Sequence, residues 1–190
     1  MQIRAKQGGA TLIEVMVSIV VMSIGLLGLA SLQMNALKYQ KTASQRSEAV
    51  QAAYDLGERM RANWVFTTQD KYTTERSTNE ANYTYTTAYN TTIGTSHTSL
   101  PNNCAITMAT ATGCTAAQIA QNDITQWLRS VEVRLVGGAG IIKPVTGASN
   151  STFDVTVMWK EQGLTTTDST CPSEASAPAG VRCFTIRYTI

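Results

Sequence analysis

Residues 8–37 read GGATLIEVMVSIVVMSIGLLGLASLQMNAL, a stretch whose only charged residue is Glu14. The uncharged run from Val15 to Leu37 is long enough to cross the roughly 30 Å hydrocarbon core of a bilayer as a helix. A carboxylate in such a segment costs on the order of 3 kcal/mol when it is unpaired in lipid, so it usually indicates a partner or a function. The alternative is that Glu14 only occupies the first helical turn, where the helix dipole favours a negative charge.

The beginning of this stretch, Gly8-Gly9-Ala10, together with the acid at Glu14, resembles the class III signal of type IV prepilins and pseudopilins. The resemblance implies that a membrane-embedded prepilin peptidase cuts after Gly9. It also implies that the same enzyme methylates the new N-terminal amine, which belongs to Ala10. The family usually has Phe at that position, and this chain departs from the pattern there.

Glu14 has a physical use in this arrangement. Cleavage would create a cationic amine at Ala10, four residues before the carboxylate, at the cytoplasmic edge of the membrane. The amine of one subunit could then meet the Glu14 carboxylate of its neighbour, and a contact near 4 Å is worth a few kcal/mol at protein surfaces. We therefore expect Glu14 to act in subunit assembly. The alternative is an ordinary secretory signal. The apolar core of such a signal spans only about 7–15 residues, and Ala30-Ser31-Leu32 would be a poor cleavage site for it.

Basic residues flank the apolar run on both sides. Arg4 and Lys6 precede it, and the positive-inside rule would hold them in the cytoplasm. Lys38, Lys41 and Arg46 follow it and compete with that assignment. Charge alone therefore leaves the orientation open.

The cysteines decide between the two orientations. All four lie in the second half of the chain, and an even number suits an oxidising compartment such as a bacterial periplasm. Their spacing matches no zinc module. Three pairings are possible; we favour Cys104–Cys114 and Cys171–Cys183, which close two short loops worth about 2–3 kcal/mol each. We expect a single-pass inner-membrane protein with a cytoplasmic N-terminus and a periplasmic C-terminal domain, which then enters a pilus.

Length and charge limit the remaining possibilities. The chain has 190 residues and a formal net charge of +2, which gives no direct evidence for nucleic-acid binding. We expect residues 1–9 to be a cleaved leader and residues 10–37 a transmembrane and assembly helix. Residues 38–190 are enough for one modest core, and we expect them to form a single globular domain.

The helical pattern continues past the membrane. Proline is absent from Ser31 through Asn63, and apolar residues recur at helical spacing. These residues are Leu32, Leu37, Ala49, Ala53, Leu56 and Met60. One helix over residues 10–61, roughly 80 Å long, is predicted. Its second half is amphipathic and belongs to the globular domain.

Two runs on this helix make the resemblance to prepilins more specific. ERMRAN at residues 58–63 and SIGLLGLA at residues 23–30 are similar to the PilV-type minor pilins, in which an acidic and double-arginine motif closes the long helix. Three later runs also fit: DITQWL at 123–128, GGAG at 137–140 and VTVMW at 155–159. For Arg59 and Arg61, a solvated helix end and a functional salt bridge remain open alternatives.

For the rest of the domain, the sequence predicts a helix followed by strands. Residues 66–103 are rich in Thr, Asn and Tyr and suggest a long surface excursion with at most a short strand at 83–89. Apolar spacing predicts a helix over 115–135, and alternation predicts strands near 139–145, 153–160 and 184–190. The loop 163–182 would be held by Cys171–Cys183. The predicted fold is α+β and pilin-like, with the long helix packed on an antiparallel sheet of three or four strands.

The sequence gives no indication of catalysis. His97 is the only histidine, and it lies in a polar loop without a nearby cysteine or carboxylate motif. The glycines at 137–140 precede a predicted strand rather than a helix, so they are not expected to bind a phosphate. We expect a non-enzymatic subunit without cofactor or metal.

The resemblance implies a minor pilin that helps to initiate or cap a type IV pilus and so supports twitching, adhesion or DNA uptake. The implied partners are the prepilin peptidase, other minor pilins, the major pilin, the inner-membrane assembly platform and membrane lipid. A type II secretion pseudopilin is the alternative. An adhesin tethered by a single span would not need the arrangement from Gly9 to Glu14.

Overall fold

The computed structural model describes residues 11–64, 72–90, 113–148 and 150–190. The helices and strands follow one another as α1 (Leu12–Ala62), α2 (Tyr72–Asn82), α3 (Ala116–Arg134), β1 (Ala139–Pro144), β2 (Thr152–Lys160), a short 3-10 helix (Ser173–Ala175) and β3 (Val181–Thr189). The chain divides into two compact units, Met1–Ala43 and Ser44–Ile190. The helix α1 therefore contributes to both units.

In the first unit, the described residues form the apolar part of α1. Within the part of the chain that the structure describes, α1 is the one helix long and apolar enough to cross a membrane, and its apolar segment is not buried in the fold. The sequence explains this helix, because it contains no proline and no charge between Glu14 and Lys38.

The second unit is built on a three-stranded antiparallel sheet in the order β1-β2-β3. In its register Ile142 pairs with Val155, and Val155 pairs with Ile186. Side chains of a strand alternate between the two faces of a sheet. The odd-numbered residues of β2 from Phe153 to Trp159 therefore lie on one face, and all of them are buried in the main core.

Two helices cover this face. From Ser44 onward α1 buries its small and apolar residues: Ala49, Ala52, Ala53, Leu56 and Met60. The second helix, α3, begins at a capping box in which Thr115 and Gln118 satisfy each other's backbone N–H groups. It contributes Trp127, whose Nε1 donates to the Ala52 carbonyl at 2.8 Å. The predicted α+β architecture, a long helix packed on an antiparallel sheet, is confirmed.

The segment after α1, of which residues 72–90 are described, differs from the predicted long surface excursion with a short strand. It contains α2, a polar helix with too few apolar residues for their spacing to indicate a helix. This helix is stabilised by polar contacts instead: Arg76 pairs with Glu80 at 2.7 Å and donates to the carbonyls of Ala148 and Asn150. The strand expected at 83–89 is reduced to one bridge, in which Tyr85 and Ile142 exchange hydrogen bonds of 2.9 and 2.7 Å.

Candidate functional site

The first turn of α1 carries the predicted assembly residue. The Thr11 carbonyl accepts hydrogen bonds from the N–H groups of Glu14 and Val15, at 3.0 and 3.3 Å. The Glu14 side chain is exposed, and none of the described residues pairs with its carboxylate. The cleavage and methylation residues, Gly9 and Ala10, lie outside the described residues, so their roles stay predictions.

The helix surface that follows Glu14 is apolar and uncovered. Its large hydrophobic side chains from Leu12 to Leu37 are all about half exposed or more. Two of its hydroxyls are satisfied within the helix, because Ser18 donates to the Glu14 carbonyl and Ser23 to the Ile19 carbonyl, each at 2.7 Å. Such internal bonding suits a helix surrounded by lipid or by other helices, where no water is available.

The glycines of the span present backbone to the surroundings. A Cβ atom added at Gly25 or at Gly28 would meet no atom within 4 Å. Packing against the described residues of the subunit therefore does not explain either glycine. Small residues at these positions let another helix approach closely in a membrane.

Arg59 links the C-terminal end of α1 to α3. Its Nε lies 3.0 Å from Asp55 Oδ2, and one terminal nitrogen donates to Gln126 Oε1 at 2.8 Å. The same nitrogen lies 3.7 Å from Asp123 Oδ1 on α3. Of the two alternatives for Arg59, the structure shows the salt bridge. It links α1 to α3 inside the globular unit.

A buried polar contact accompanies this ion pair. The Tyr83 hydroxyl donates to Asp123 Oδ2 at 2.7 Å and accepts from the Asn63 side chain at 3.0 Å. Burial raises the pKa of Asp123 above its ordinary value, although the bond from Tyr83 and the charge of Arg59 oppose this shift. Burial also raises the pKa of Tyr83. The sequence places Asp123 at the start of the DITQWL run, but no local pattern connects it with Tyr83.

The last strand meets α1 at Gly57. A Cβ atom at this position would lie only 2.5 Å from Cε2 of Tyr188, so the ring requires a glycine there. The Tyr188 hydroxyl donates to Glu58 Oε1 at 2.6 Å. The Arg61 guanidinium lies 5.2 Å from the centre of the same ring, within the range of a cation–π contact. Arg61 is therefore engaged as well, through the ring and through Glu58 at 3.3 Å.

A disulfide fixes the loop before β3. Cys171 and Cys183 are bonded, with their Cα atoms 5.0 Å apart. The loop is also held by Asp168, which accepts from the N–H groups of Thr170 and Cys183 at 3.0 and 3.1 Å. Burial would raise the pKa of Asp168, but these hydrogen bonds and the Arg182 charge hold it below its ordinary value.

The other predicted disulfide is described only in part. Cys114 is disulfide-bonded. Its expected partner, Cys104, lies outside the described residues, and the pairing stays a prediction. His97 lies outside them too. Within the described ranges, no group of three or more His, Cys, Asp or Glu side chains could hold a metal ion.

Comparison with known families agrees with this geometry. Residues 4–30 match the prokaryotic N-terminal methylation motif, and residues 31–125 match the model of type IV pilin Tt1218. No curated protein and no solved structure matches the chain. The methylation motif and the apolar α1 identify a membrane-anchored pilin, and the family is one of structural pilus subunits rather than enzymes. Because the pilin model covers half of the 190-residue chain, the protein belongs to the type IV pilin Tt1218 family.

Proposed function

We propose that this pilin is a minor subunit that helps to initiate or cap a type IV pilus, and so supports twitching, adhesion or DNA uptake. The observation that carries the proposal is an uncovered apolar helix whose first turn holds one carboxylate, Glu14, with which no described residue pairs. The minor role is supported by the resemblance of residues 23–30 and 58–63 to PilV-type pilins. Contacts to the major pilin, to other minor pilins and to the inner-membrane assembly platform belong to the same proposal.

The proposed assembly step begins in the membrane. Prepilin peptidase removes residues 1–9, and the new amine of Ala10 lies at the cytoplasmic edge of the inner membrane, with the globular unit in the periplasm. The amine of one subunit then pairs with the Glu14 carboxylate of the adjoining subunit. Each charge is costly when unpaired in lipid, so their contact favours one register between neighbouring helices.

Processing is predicted to remove the leader alone. Intact-mass analysis of the membrane protein should show loss of residues 1–9 and addition of one methyl group to Ala10. A Gly9→Val variant is the control and should keep the full mass, since cleavage depends chiefly on the glycine. A product cut beyond residue 28 would instead indicate an ordinary secretory signal.

A strain without the gene distinguishes the two filament systems. We expect few surface pili and reduced twitching, while export by type II secretion continues at its normal level. Quantitative mass spectrometry of sheared filaments should find this subunit at a small fraction of the major pilin. Normal piliation with failed export would favour the pseudopilin alternative. A subunit as abundant as the major pilin would contradict the minor role.

A further inference from the structure

Two lysines just beyond the apolar run have no counterion among the described residues. Lys38 and Lys41 are exposed, and no described carboxylate pairs with either of them. The next cation along α1 differs, since Arg46 lies 3.6 Å from the Glu161 carboxylate. Tyr39, between the two lysines, is 78% exposed. Contacts among the described residues therefore account for the charge of Arg46. They do not account for the exposed group Lys38-Tyr39-x-Lys41.

The position of these residues along the helix matches the thickness of a membrane. Lys38 follows Glu14 by 24 residues, which corresponds to about 36 Å of helix at ~1.5 Å per residue. This length exceeds the roughly 30 Å hydrocarbon core and stays below the ~40–45 Å of the complete bilayer. When Glu14 lies in one headgroup layer, Lys38 consequently lies in the opposite one.

The side-chain types also suit a headgroup layer. Helical side chains point back towards the helix N-terminus, so Lys41 reaches towards the membrane from one turn farther out. Lysine stems can follow apolar surface while the ammonium group reaches the polar layer. Tyrosine is enriched at the same depth, because its ring is apolar and its hydroxyl polar.

We propose that Lys38, Tyr39 and Lys41 form a binding site for the phosphates of anionic lipid headgroups. The site deepens the proposed function and rests on it only for the side of the membrane, which is the periplasmic one. Lys38 and Lys41 bind the phosphates, and Tyr39 fixes the depth of the helix at the interface. A subunit that enters a filament must release these lipids, so the site holds unassembled subunits at a set depth.

The test measures the depth of the helix in vesicles. The full chain carries a Gln40→Cys change, which places a spin label on the opposite side of the helix from Lys38; among the described residues no cysteine is free to compete. The protein is reconstituted in phosphatidylcholine alone or mixed with phosphatidylglycerol. With phosphatidylglycerol, access of a water-soluble nickel chelate to the label should fall. Each lysine should raise about fivefold the ratio of chains whose lysines bind lipid phosphates to chains whose lysines do not. This is the factor that ~1 kcal/mol per basic residue gives.

Three variants separate the lysines from other charges. K38Q/K41Q should lose the dependence on phosphatidylglycerol, whereas K38R/K41R should keep it. R129Q/K160Q removes two positive charges from exposed residues of the globular unit, as many as K38Q/K41Q removes, and should behave as the unmodified chain does. The apolar span is intact in all three, so each still inserts.

Two results would overturn the lipid site. One is the same response to phosphatidylglycerol in K38Q/K41Q and in the unmodified chain. The other is an equal loss of response in R129Q/K160Q, which would indicate an effect of net charge alone. Neither result depends on filaments, so failure of the lipid site and failure of the proposed pilus role can be told apart.

Discussion

Replacing Glu14 by alanine is expected to leave the subunit in the membrane and to abolish its incorporation into filaments. Insertion should be unchanged or improved, because a charge that costs on the order of 3 kcal/mol in lipid is removed. Assembly should fail, because the amine of the adjoining subunit loses its counterion. The globular unit should keep its fold, since no described residue of that unit pairs with Glu14.

The measurement is the amount of variant in sheared filaments relative to the amount in membranes, together with the number of surface pili. A strain lacking the gene gives the baseline for piliation. Glu14→Gln keeps the size of the side chain without its charge and should fail like alanine, whereas Glu14→Asp should retain part of the function. Wild-type piliation with normal recovery of Glu14→Ala in filaments would show that the acid only compensates the helix dipole.

Replacing Trp127 by alanine is expected to cost about 3–5 kcal/mol of the free energy of unfolding of the globular unit. The side chain is fully buried between α1 and the sheet, and its Nε1 donates to the Ala52 carbonyl. A domain of this size is stable by only ~5–15 kcal/mol, so the loss is a large fraction of the total. Urea denaturation of the full chain in detergent, followed by far-ultraviolet circular dichroism, measures it.

Gly140 supplies the control for this prediction. A Cβ atom on Gly140 would lie 2.1 Å from Cη2 of Trp127, so Gly140→Ala alone should destabilise the unit. In the Trp127→Ala background the ring is absent, and Gly140→Ala should then cost little. This non-additivity would show that the ring and the glycine are packed as a pair. Additive effects would contradict the packing described for this site.

Much of the fold could be predicted because its signals are local. The absence of proline and charge predicted the apolar part of α1, and alternation located β2 close to its observed bounds. The end of β1 was also close, at Pro144 instead of residue 145. The beginning of β3 was predicted three residues late, because Val181 and Cys183 face a small second core under the disulfide loop.

The contacts that were not predicted depend on tertiary structure. Arg76 stabilises α2 partly through carbonyls that lie more than 70 residues away in the chain, and no local pattern encodes such bonds. The hydrogen bond between Tyr83 and Asp123 joins residues 40 positions apart. The steric requirement at Gly57 is invisible in the sequence for the same reason, since it comes from a ring on the last strand.

The contact between Tyr188 and Gly57 also bears on mechanical load. If tension in a pilus acts on a subunit along the axis of α1, the force within the globular unit tends to slide α1 past β3. The ring of Tyr188 lies where only a glycine fits, so a slide of α1 by about one turn, ~5.4 Å, would drive a side chain of the same helix face, three or four residues away, into the ring. Resistance to pulling at this point is steric, and it persists at salt concentrations that screen the surrounding ion pairs.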